Sequence, residues 1–309
     1  MGKYVIRRLL ITIPLLAAIT FMSFVLINLS NTDIAVAVLR SKGTPDITPE
    51  MIEATNIELG LNEPFFIRYF TWIGRCLRLD FGESYLTGER VFDMILPAFG
   101  YTIRLAFIAA GIVIVVSVIL GVICALKEGT LADKIIRVVM ITVGAMPAYW
   151  IGILLIWLLA VKLDLLPTSG VGDASNYVLP LIVLSIGYIG FYFRLIRNSM
   201  ITNRQSNYVM YERACGLPEK TVVKHVLKNS LQTAVSAFCM AIPGMIAGTV
   251  VVENVFAWPG VGRLCVSSIS SHDIPVIQAY IMIVAVAFVI FNLLADIINA
   301  ALNPRLRGG

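Results

Sequence analysis

Long apolar segments recur along this chain, and they constrain its fold more than any other feature. Runs of about 20 residues with few charges begin near Leu9 and return up to the C-terminal end. A helix of that length rises about 30 Å, the thickness of the hydrocarbon core of a bilayer. The chain is 58% hydrophobic and 14% charged, whereas soluble domains are about 25% charged. We therefore predict an all-α integral membrane protein.

Hydropathy predicts six membrane spans. They lie at about 9–29, 103–126, 136–161, 178–197, 231–252 and 280–301. Lys3, Arg7 and Arg8 precede the first span, which is longer than the roughly 7–15 apolar residues of a signal-peptide core. We interpret it as an uncleaved first helix, within an N-terminal segment of residues 1–30.

The charges between the spans follow the positive-inside rule. If both termini lie in the cytoplasm, the inside segments hold fifteen Lys or Arg but only four Asp or Glu. The outside segments hold nine Lys or Arg and fourteen Asp or Glu. Topology therefore accounts for the net charge of +5, and no nucleic-acid partner is inferred. We expect residues 31–100 to form a small external helical subdomain, residues 101–302 a five-helix core, and residues 303–309 a cytoplasmic tail.

Aromatic residues are concentrated in the predicted external subdomain. They are Phe65, Phe66, Tyr69, Phe70 and Trp72. Such side chains near a span either form a binding surface or pack the subdomain down at the membrane interface, and we favour packing.

The last span carries polar side chains at regular spacing. Asn292, Asp296, Asn299 and Asn303 follow one another at intervals of four, three and four residues, which places them on one helix face. One interpretation is a polar wall of a translocation path. The other, which we prefer, is hydrogen bonding between helices that holds the bundle together.

A second candidate for the path is the segment from Glu253 to Gly262. Its glycines and Pro259 predict a tight re-entrant turn, with Phe256 and Trp258 along it. Glu253, Phe256 and Trp258 are interpreted either as part of the outer mouth of a pathway or as an aromatic anchor at the membrane interface.

The sequence offers no metal or catalytic constellation. His225 and His272 are the only histidines, neither has a His or Cys neighbour at metal-ligand spacing, and the five cysteines form no CxxC pair. His272 beside Asp273 is expected to be an exposed polar pair, which could touch a passing metal, but we favour a structural or docking surface. Protease, esterase and phosphate-loop motifs are absent from the sequence as well. We assign the chain no catalytic residue, metal or cofactor.

The longest predicted cytoplasmic segment, residues 198–230, contains two helical pieces. Gly216 stands where the first piece ends, and Pro218 and Glu219 suit the first turn of the second. The second piece has an apolar face and a lysine-rich face. It is either a docking element or a membrane-surface helix that meets anionic lipid.

This segment resembles the "EAA" coupling loop of binding-protein-dependent ABC importer permeases. Glu212, Arg213, Ala214 and Gly216 occupy the motif positions after Tyr211, and Arg213 replaces an alanine, as in the peptide and nickel branch. The resemblance implies that these five residues couple the permease to an ATPase subunit.

The resemblance to that branch extends along the whole chain. It is carried by Leu59-Gly60-Leu61, Asp80-Phe81-Gly82, Met146-Pro147, the segment from Glu253 to Gly262, the segment from Asp273 to Gln278, and Asn303-Pro304-Arg305. The last three are similar to those of nickel and opine-metallophore permeases in particular. A type I importer permease fold in a bacterial cell membrane is thereby implied.

The partners implied by the resemblance are a second homologous permease, two ATPase subunits that bind ATP and Mg, and an external solute-binding protein. The implied substrate is nickel or another transition metal as a chelate or opine-metallophore complex, or alternatively a di- or oligopeptide. A secondary transporter working without ATP is a rival from another class. It requires ionisable coupling residues in several spans, and Asp296 stands almost alone.

Overall fold

The computed structural model describes residues 2–29, 34–41, 43–44 and 46–302, and there it is helical as predicted. A π-helical segment, Ile156–Lys162, follows the seventh of the α-helices. The α-helices are α1 (Gly2–Leu29), α2 (Ile34–Ser41), α3 (Pro49–Glu58), α4 (Phe65–Cys76), α5 (Val91–Leu126), α6 (Leu131–Gly144), α7 (Ala148–Leu155), α8 (Ser175–Arg204), α9 (Asn207–Ala214), α10 (Glu219–Val255), α11 (Val261–Ser270) and α12 (Ile274–Leu302). The tail predicted at residues 303–309, with Asn303, lies outside the described residues.

Five of the described helices are long and apolar enough to cross a membrane, namely α1, α5, α8, α10 and α12. In place of the third predicted span, 136–161, the structure has a broken pair. α6 and the α7–π segment meet at a bend of 103°, so the count reaches six only if the pair is one span. The break falls at Pro147, which precedes the first residue of α7. Proline cannot donate to the helix ladder and disfavours a helical residue before it, which explains the break.

Two helices, α5 and α10, extend furthest beyond the predicted spans. α5 begins at Val91, well before the expected residue 103. α10 runs from Glu219 to Val255 through Pro243, so the second helical piece of the 198–230 segment is continuous with the fifth predicted span. Hydropathy shows which part of a helix is apolar, whereas the helix itself can continue beyond the apolar stretch.

The chain divides into two compact units. The N-terminal unit contains residues 6–102 and 259–290, whereas the central unit contains residues 1–5, 103–258 and 291–309 as far as they are described. The predicted 31–100 subdomain thus shares its unit with the whole of the first predicted span, 9–29, with α11 and with the first part of α12.

The N-terminal unit has its own apolar core, built from α5, α11 and α12. Val91, Ile95, Val261, Val276 and Ala279 are all buried in it. Beside this core, the hydroxyl of Ser84 and the backbone N–H of Tyr85 donate to the carboxylate of Asp273. This side chain joins the loop before α5 to the start of α12.

α8 lies in the middle of the central unit and packs against α6, α7 and α10. It also touches α5 closely, because a Cβ atom on Gly121 would lie 2.8 Å from Cγ2 of Ile196. Glycine at position 121 is therefore needed for the two backbones to approach. The apolar faces of α8 are buried within the unit, and its last turn leads directly into α9.

Candidate functional site

The segment that resembles a coupling loop is a sharp corner between α9 and α10, which we call the α9–α10 corner (residues 205–230). Its turn is stabilised by two hydrogen bonds, from Gly216 N–H to the Arg213 carbonyl (3.0 Å) and from Leu217 N–H to the Glu212 carbonyl (3.1 Å). Gly216 has φ +77°, a left-handed conformation that glycine adopts without strain. The glycine therefore ends α9 and turns the chain towards α10.

An ion pair and a hydrogen bond connect the two sides of the corner. Nε and Nη2 of Arg213 donate to the Glu219 carboxylate at 3.1 and 2.6 Å. Glu212 Oε1 lies 2.8 Å from Nδ1 of His225, six residues after Glu219 on α10. Sequence reasoning missed the role of His225, which lies between lysines on a helix face that had been read as basic.

The α9–α10 corner buries branched aliphatic side chains and exposes larger apolar ones. Val209, Val222 and Val226 are buried. Met210 and Tyr211 are 69% and 71% exposed, and Ala214, Cys215 and Gly216 beside them are exposed too. An apolar pair next to small residues is suited to the groove of a partner protein, because a groove can approach the backbone closely there.

Hydrogen bonds fasten the corner to the end of α8. The Asn203 amide donates to the Ser199 carbonyl (2.8 Å) and to the Ser230 hydroxyl (3.2 Å). The Ser199 hydroxyl donates to the Ser230 carbonyl at 3.3 Å. The corner is therefore attached to α8 by side-chain hydrogen bonds as well as being continuous with α10.

A buried ion pair holds the same end of α8 against α6. Nε and Nη2 of Arg197 each donate to an oxygen of Asp133 at 2.8 Å, and the Asp133 side chain is fully buried. Arg137 lies 3.3 Å from the same carboxylate, which also accepts the Gly129 N–H. Arg204, one to two turns beyond Arg197, donates to the Ala125 carbonyl at 3.1 Å.

Sequence reasoning counted Asp133 and Arg197 only as cytoplasmic charges and did not pair them. One signal was present, since Arg197 falls inside the predicted fourth span. A charge at that position calls for a partner, but the partner is 64 residues away in the chain.

The aromatic segment predicted as a pathway mouth is packed inside the structure. Glu253 lies in the last turn of α10, and Glu253, Phe256 and Trp258 are at most 1% exposed. The Phe256 carbonyl accepts the Gly170 N–H at 2.9 Å, and the Trp258 ring meets Tyr177 edge-on at 4.6 Å. An exposed aromatic anchor does not fit this burial. In this conformation a solute does not reach these side chains, so their pathway role stays a prediction.

The polar residues of the last span remain an open prediction in the same way. Asn292, Asp296 and Asn299 are half-buried along α12. Oδ1 of Asn299 is a buried acceptor for which the described residues supply no hydrogen-bond donor. Asn303, the fourth member of the predicted face, lies outside the described residues.

A cavity of about 500 Å³ opens at the bend between α6 and α7, where α8 and α10 also contribute. Its wall is mostly aliphatic, with Tyr188 and Tyr192 as polar groups. The Tyr188 hydroxyl lies over two glycines of α10, because Cβ atoms at Gly244 and Gly248 would be 3.5 and 3.8 Å from it, within ordinary van der Waals contact.

The described residues contain no group of three or more His, Cys, Asp or Glu side chains placed to hold a metal ion. His272 is exposed, but its neighbour Asp273 is only 3% exposed and is engaged by Ser84 and Tyr85. The two residues do not form an exposed pair, which corrects that part of the sequence interpretation.

The family of the chain is established by comparison with known proteins. Residues 117–308 match the family model "Binding-protein-dependent transport system inner membrane component", and residues 1–106 match the N-terminal model of such membrane components. The chain belongs to this family of ABC importer permeases.

Several curated relatives match over almost the full length. The chain is 48% identical to the metal-staphylopine import system permease protein CntB of Staphylococcus aureus (strain NCTC 8325 / PS 47), over 100% of this chain and 99% of that protein. It is 33% identical to the oligopeptide transport system permease protein AppB of Bacillus subtilis (strain 168), over 99% of each. It is 32% identical to the glutathione transport system permease protein GsiC of Escherichia coli (strain K12), again over 99% of each.

The fold is also similar to a crystal structure of an amino acid ABC transporter with histidines. The TM-score is 0.50 at 14% identity, and the match covers 68% of this chain and 94% of that one. At that identity the likeness concerns the fold alone. It agrees with the type I importer permease fold expected from the sequence.

Proposed function

We propose that this chain is one permease subunit of an importer that carries a transition metal bound to an opine-type metallophore. The observation that carries the proposal is the 48% identity over the whole chain to the metal-staphylopine permease. The permeases named for oligopeptides and glutathione are more distant, at 33% and 32% identity. Peptide import is the second candidate for that reason.

The α9–α10 corner supports coupling to an ATPase. It exposes Met210 and Tyr211 beside Ala214 and Gly216, while an ion pair and hydrogen bonds fix it to α8 and α10.

In the proposed assembly, two ATPase subunits bind ATP and Mg and hydrolyse the nucleotide. A second homologous permease completes a heterodimer, and a solute-binding protein delivers the substrate from outside. Both termini and the corner then lie in the cytoplasm of a bacterial cell.

The composition of the cavity at the α6–α7 bend indicates that the solute is selected outside this subunit. An opine-type metal complex is charged and polar, whereas the cavity wall is mostly aliphatic. The described residues also present no three-ligand metal site. The binding protein therefore selects the solute, and this permease supplies a passage.

The substrate is tested by transport in proteoliposomes that contain the assembled importer. Uptake of radioactive nickel or zinc is measured once with an opine metallophore and once with the free ion. Uptake of a labelled oligopeptide is measured separately. Uptake that requires the metallophore supports the proposal. Peptide uptake without metal uptake assigns the chain to the peptide branch and leaves ATP coupling intact.

A further inference from the structure

The helix α4 is too short to cross a bilayer, yet it lies against the middle of a predicted span. Its 12 residues rise about 18 Å, whereas the hydrocarbon core is about 30 Å thick. The Tyr69 hydroxyl on α4 lies 3.1 Å from the Thr20 hydroxyl on α1. The apolar stretch of α1 runs from Leu10 to Leu29, so Thr20 stands near its midpoint. A side chain of α4 therefore reaches the depth of the acyl chains.

The polar atoms at this contact are hydrogen-bonded, as that depth requires. The Thr20 hydroxyl donates to the Leu16 carbonyl (2.9 Å), and the Tyr69 hydroxyl lies 3.4 Å from the Ala17 carbonyl. Thr20 and Tyr69 are 2% and 7% exposed. Since hydrocarbon offers no hydrogen-bond partners, hydroxyls that bond to one another and to helix carbonyls are suited to it.

Aromatic contacts fix the side of α4 that meets α1. Phe24 packs edge-on against Phe65 and Tyr69, at 5.2 and 5.5 Å between ring centroids, and stacks on Trp72 at 5.8 Å. Packing against the first span is therefore confirmed for Phe65, Tyr69 and Trp72 of the aromatic group. These contacts leave one side of α4 without a protein neighbour in the described residues.

That uncovered side is apolar and continues the surface of α1. Phe66 and Phe70, one turn apart, are 62% and 66% exposed, and Leu77 just past the helix end is 82% exposed. Phe66 stacks on Phe21 of α1 at 6.5 Å. Further along α1, Leu26 is itself 62% exposed. Together they form one apolar surface that crosses from the span to α4.

The remaining side of α4 is polar. It carries Arg68, Thr71 and Arg75, and Arg75 is paired with Asp80 at 2.9 Å. The helix thus has three sides, of which one packs on protein, one is apolar and exposed, and one is polar. A short helix with this division is suited to a position within one leaflet, with its apolar side towards acyl chains and its polar side towards headgroups.

We propose that α4 lies within one leaflet of the bilayer, with Phe66 and Phe70 inserted between lipid acyl chains and the arginine side towards the headgroups. The depth of the Tyr69 contact and the continuity with the exposed face of α1 select lipid over a protein partner. The proposal does not depend on which solute is transported.

The test uses nitroxide labels in the reconstituted importer. Labels are placed singly by Phe66→Cys and Phe70→Cys, in a background where Cys215 and Cys239 are replaced by serine. Leu26→Cys on the exposed face of α1 gives a lipid reference, and Thr71→Cys on the polar side of α4 gives a water reference. Collision rates are measured with oxygen, which concentrates in lipid, and with a water-soluble nickel chelate.

Labels at 66 and 70 are expected to show the oxygen preference of the label at 26, while the label at 71 favours the nickel chelate. If the labels at 66 and 70 match the label at 71, the helix lies in water and the proposal is overturned. If both are shielded from both reagents, a protein surface covers them, which contradicts it as well. Two separate label positions are used, so that the test still gives a result if one of the two variants fails to fold.

Discussion

The guanidinium of Arg197 and the carboxylate of Asp133 meet through two hydrogen bonds of 2.8 Å in a site where the carboxylate has no exposure to solvent. Arg197 lies in α8 two turns before the α9–α10 corner, and Asp133 lies in the first turn of α6. Because the corner is also attached to α8 through Asn203, this pair connects the α9–α10 corner, through α8, to the helix that leads into the α6–α7 bend.

Asp133→Ala is expected to destabilise the protein by about 3–5 kcal/mol, because it leaves Arg197 buried without its partner. The measurement is denaturation of the purified protein in detergent. A loss below about 1 kcal/mol would show that water reaches the pair and that the Asp133 carboxylate is not buried.

Asp80→Ala is the matched control, since Arg75 and Asp80 are 2.9 Å apart but about half exposed. Its expected cost is at most about 1 kcal/mol. The hydrogen bond from Arg75 holds the pKa of Asp80 below its usual range. The small contribution is therefore present at neutral pH and is lost as pH falls through that lowered pKa, so the gap between wild type and Asp80→Ala should close in acid.

Gly216→Ala is expected to reduce uptake per ATP hydrolysed, because a left-handed alanine strains the turn by about 1–2 kcal/mol and tilts α9. No atom lies within 4 Å of the added methyl group, so the effect is one of backbone conformation. The measurement is the ratio of solute transported to phosphate released.

Gly60→Ala provides a control with the same backbone chemistry. Gly60 has φ +65°, ends α3 with the same pair of hydrogen bonds, and has nothing within 4 Å of its Cβ position. Its transport ratio should stay at the wild-type value. An equal loss of the transport ratio in both variants would mean that general destabilisation is responsible. That result would contradict a coupling role for Gly216.

Tyr211→Ser is expected to weaken association with the ATPase subunits without unfolding the permease, because the ring is 71% exposed. Tyr211→Phe keeps the apolar ring and should retain association. Co-purification of the ATPase subunits at increasing salt compares the two variants. Wild-type recovery with Tyr211→Ser would exclude this side chain from the docking surface.

The cysteines should differ sharply in reactivity. Burial raises the pKa of the Cys76 thiol to about 12 and that of Cys265 to about 11, and the thiolate is the reactive form. At pH 8 a polar maleimide should label the exposed Cys215, and Cys215→Ser should remove most of the signal. Denaturation of the wild-type protein should expose all five thiols. Because Cys239 is partly exposed, rapid native labelling of the double variant Cys215→Ser, Cys239→Ser would contradict the packing around Cys76 and Cys265.

The helical class and the positions of the spans were predictable because the bilayer demands long apolar helices. The turn at Gly216 was predictable for a similar reason, since few residues adopt a left-handed conformation. The family resemblance rested on short motifs whose order along the chain is distinctive.

Features that depend on distant residues could not be read from the sequence. Arg197 and Asp133 are 64 residues apart, and Ser84 and Asp273 are 189 apart. Pro147 marks a break inside the third span, but the local sequence does not give the bend of 103°. The burial of Glu253 and Trp258 likewise follows from packing against elements such as the loop before α8, which a local pattern does not contain.

The most direct test of the central claim is solute uptake into proteoliposomes that hold the assembled importer, with nucleotide supplied on the side of the ATPase subunits. Uptake is predicted to require hydrolysable ATP and the solute-binding protein, and to stop with a non-hydrolysable analogue. Accumulation driven by an ion gradient without ATP would contradict the assignment of this chain as a permease subunit of an ATP-driven importer.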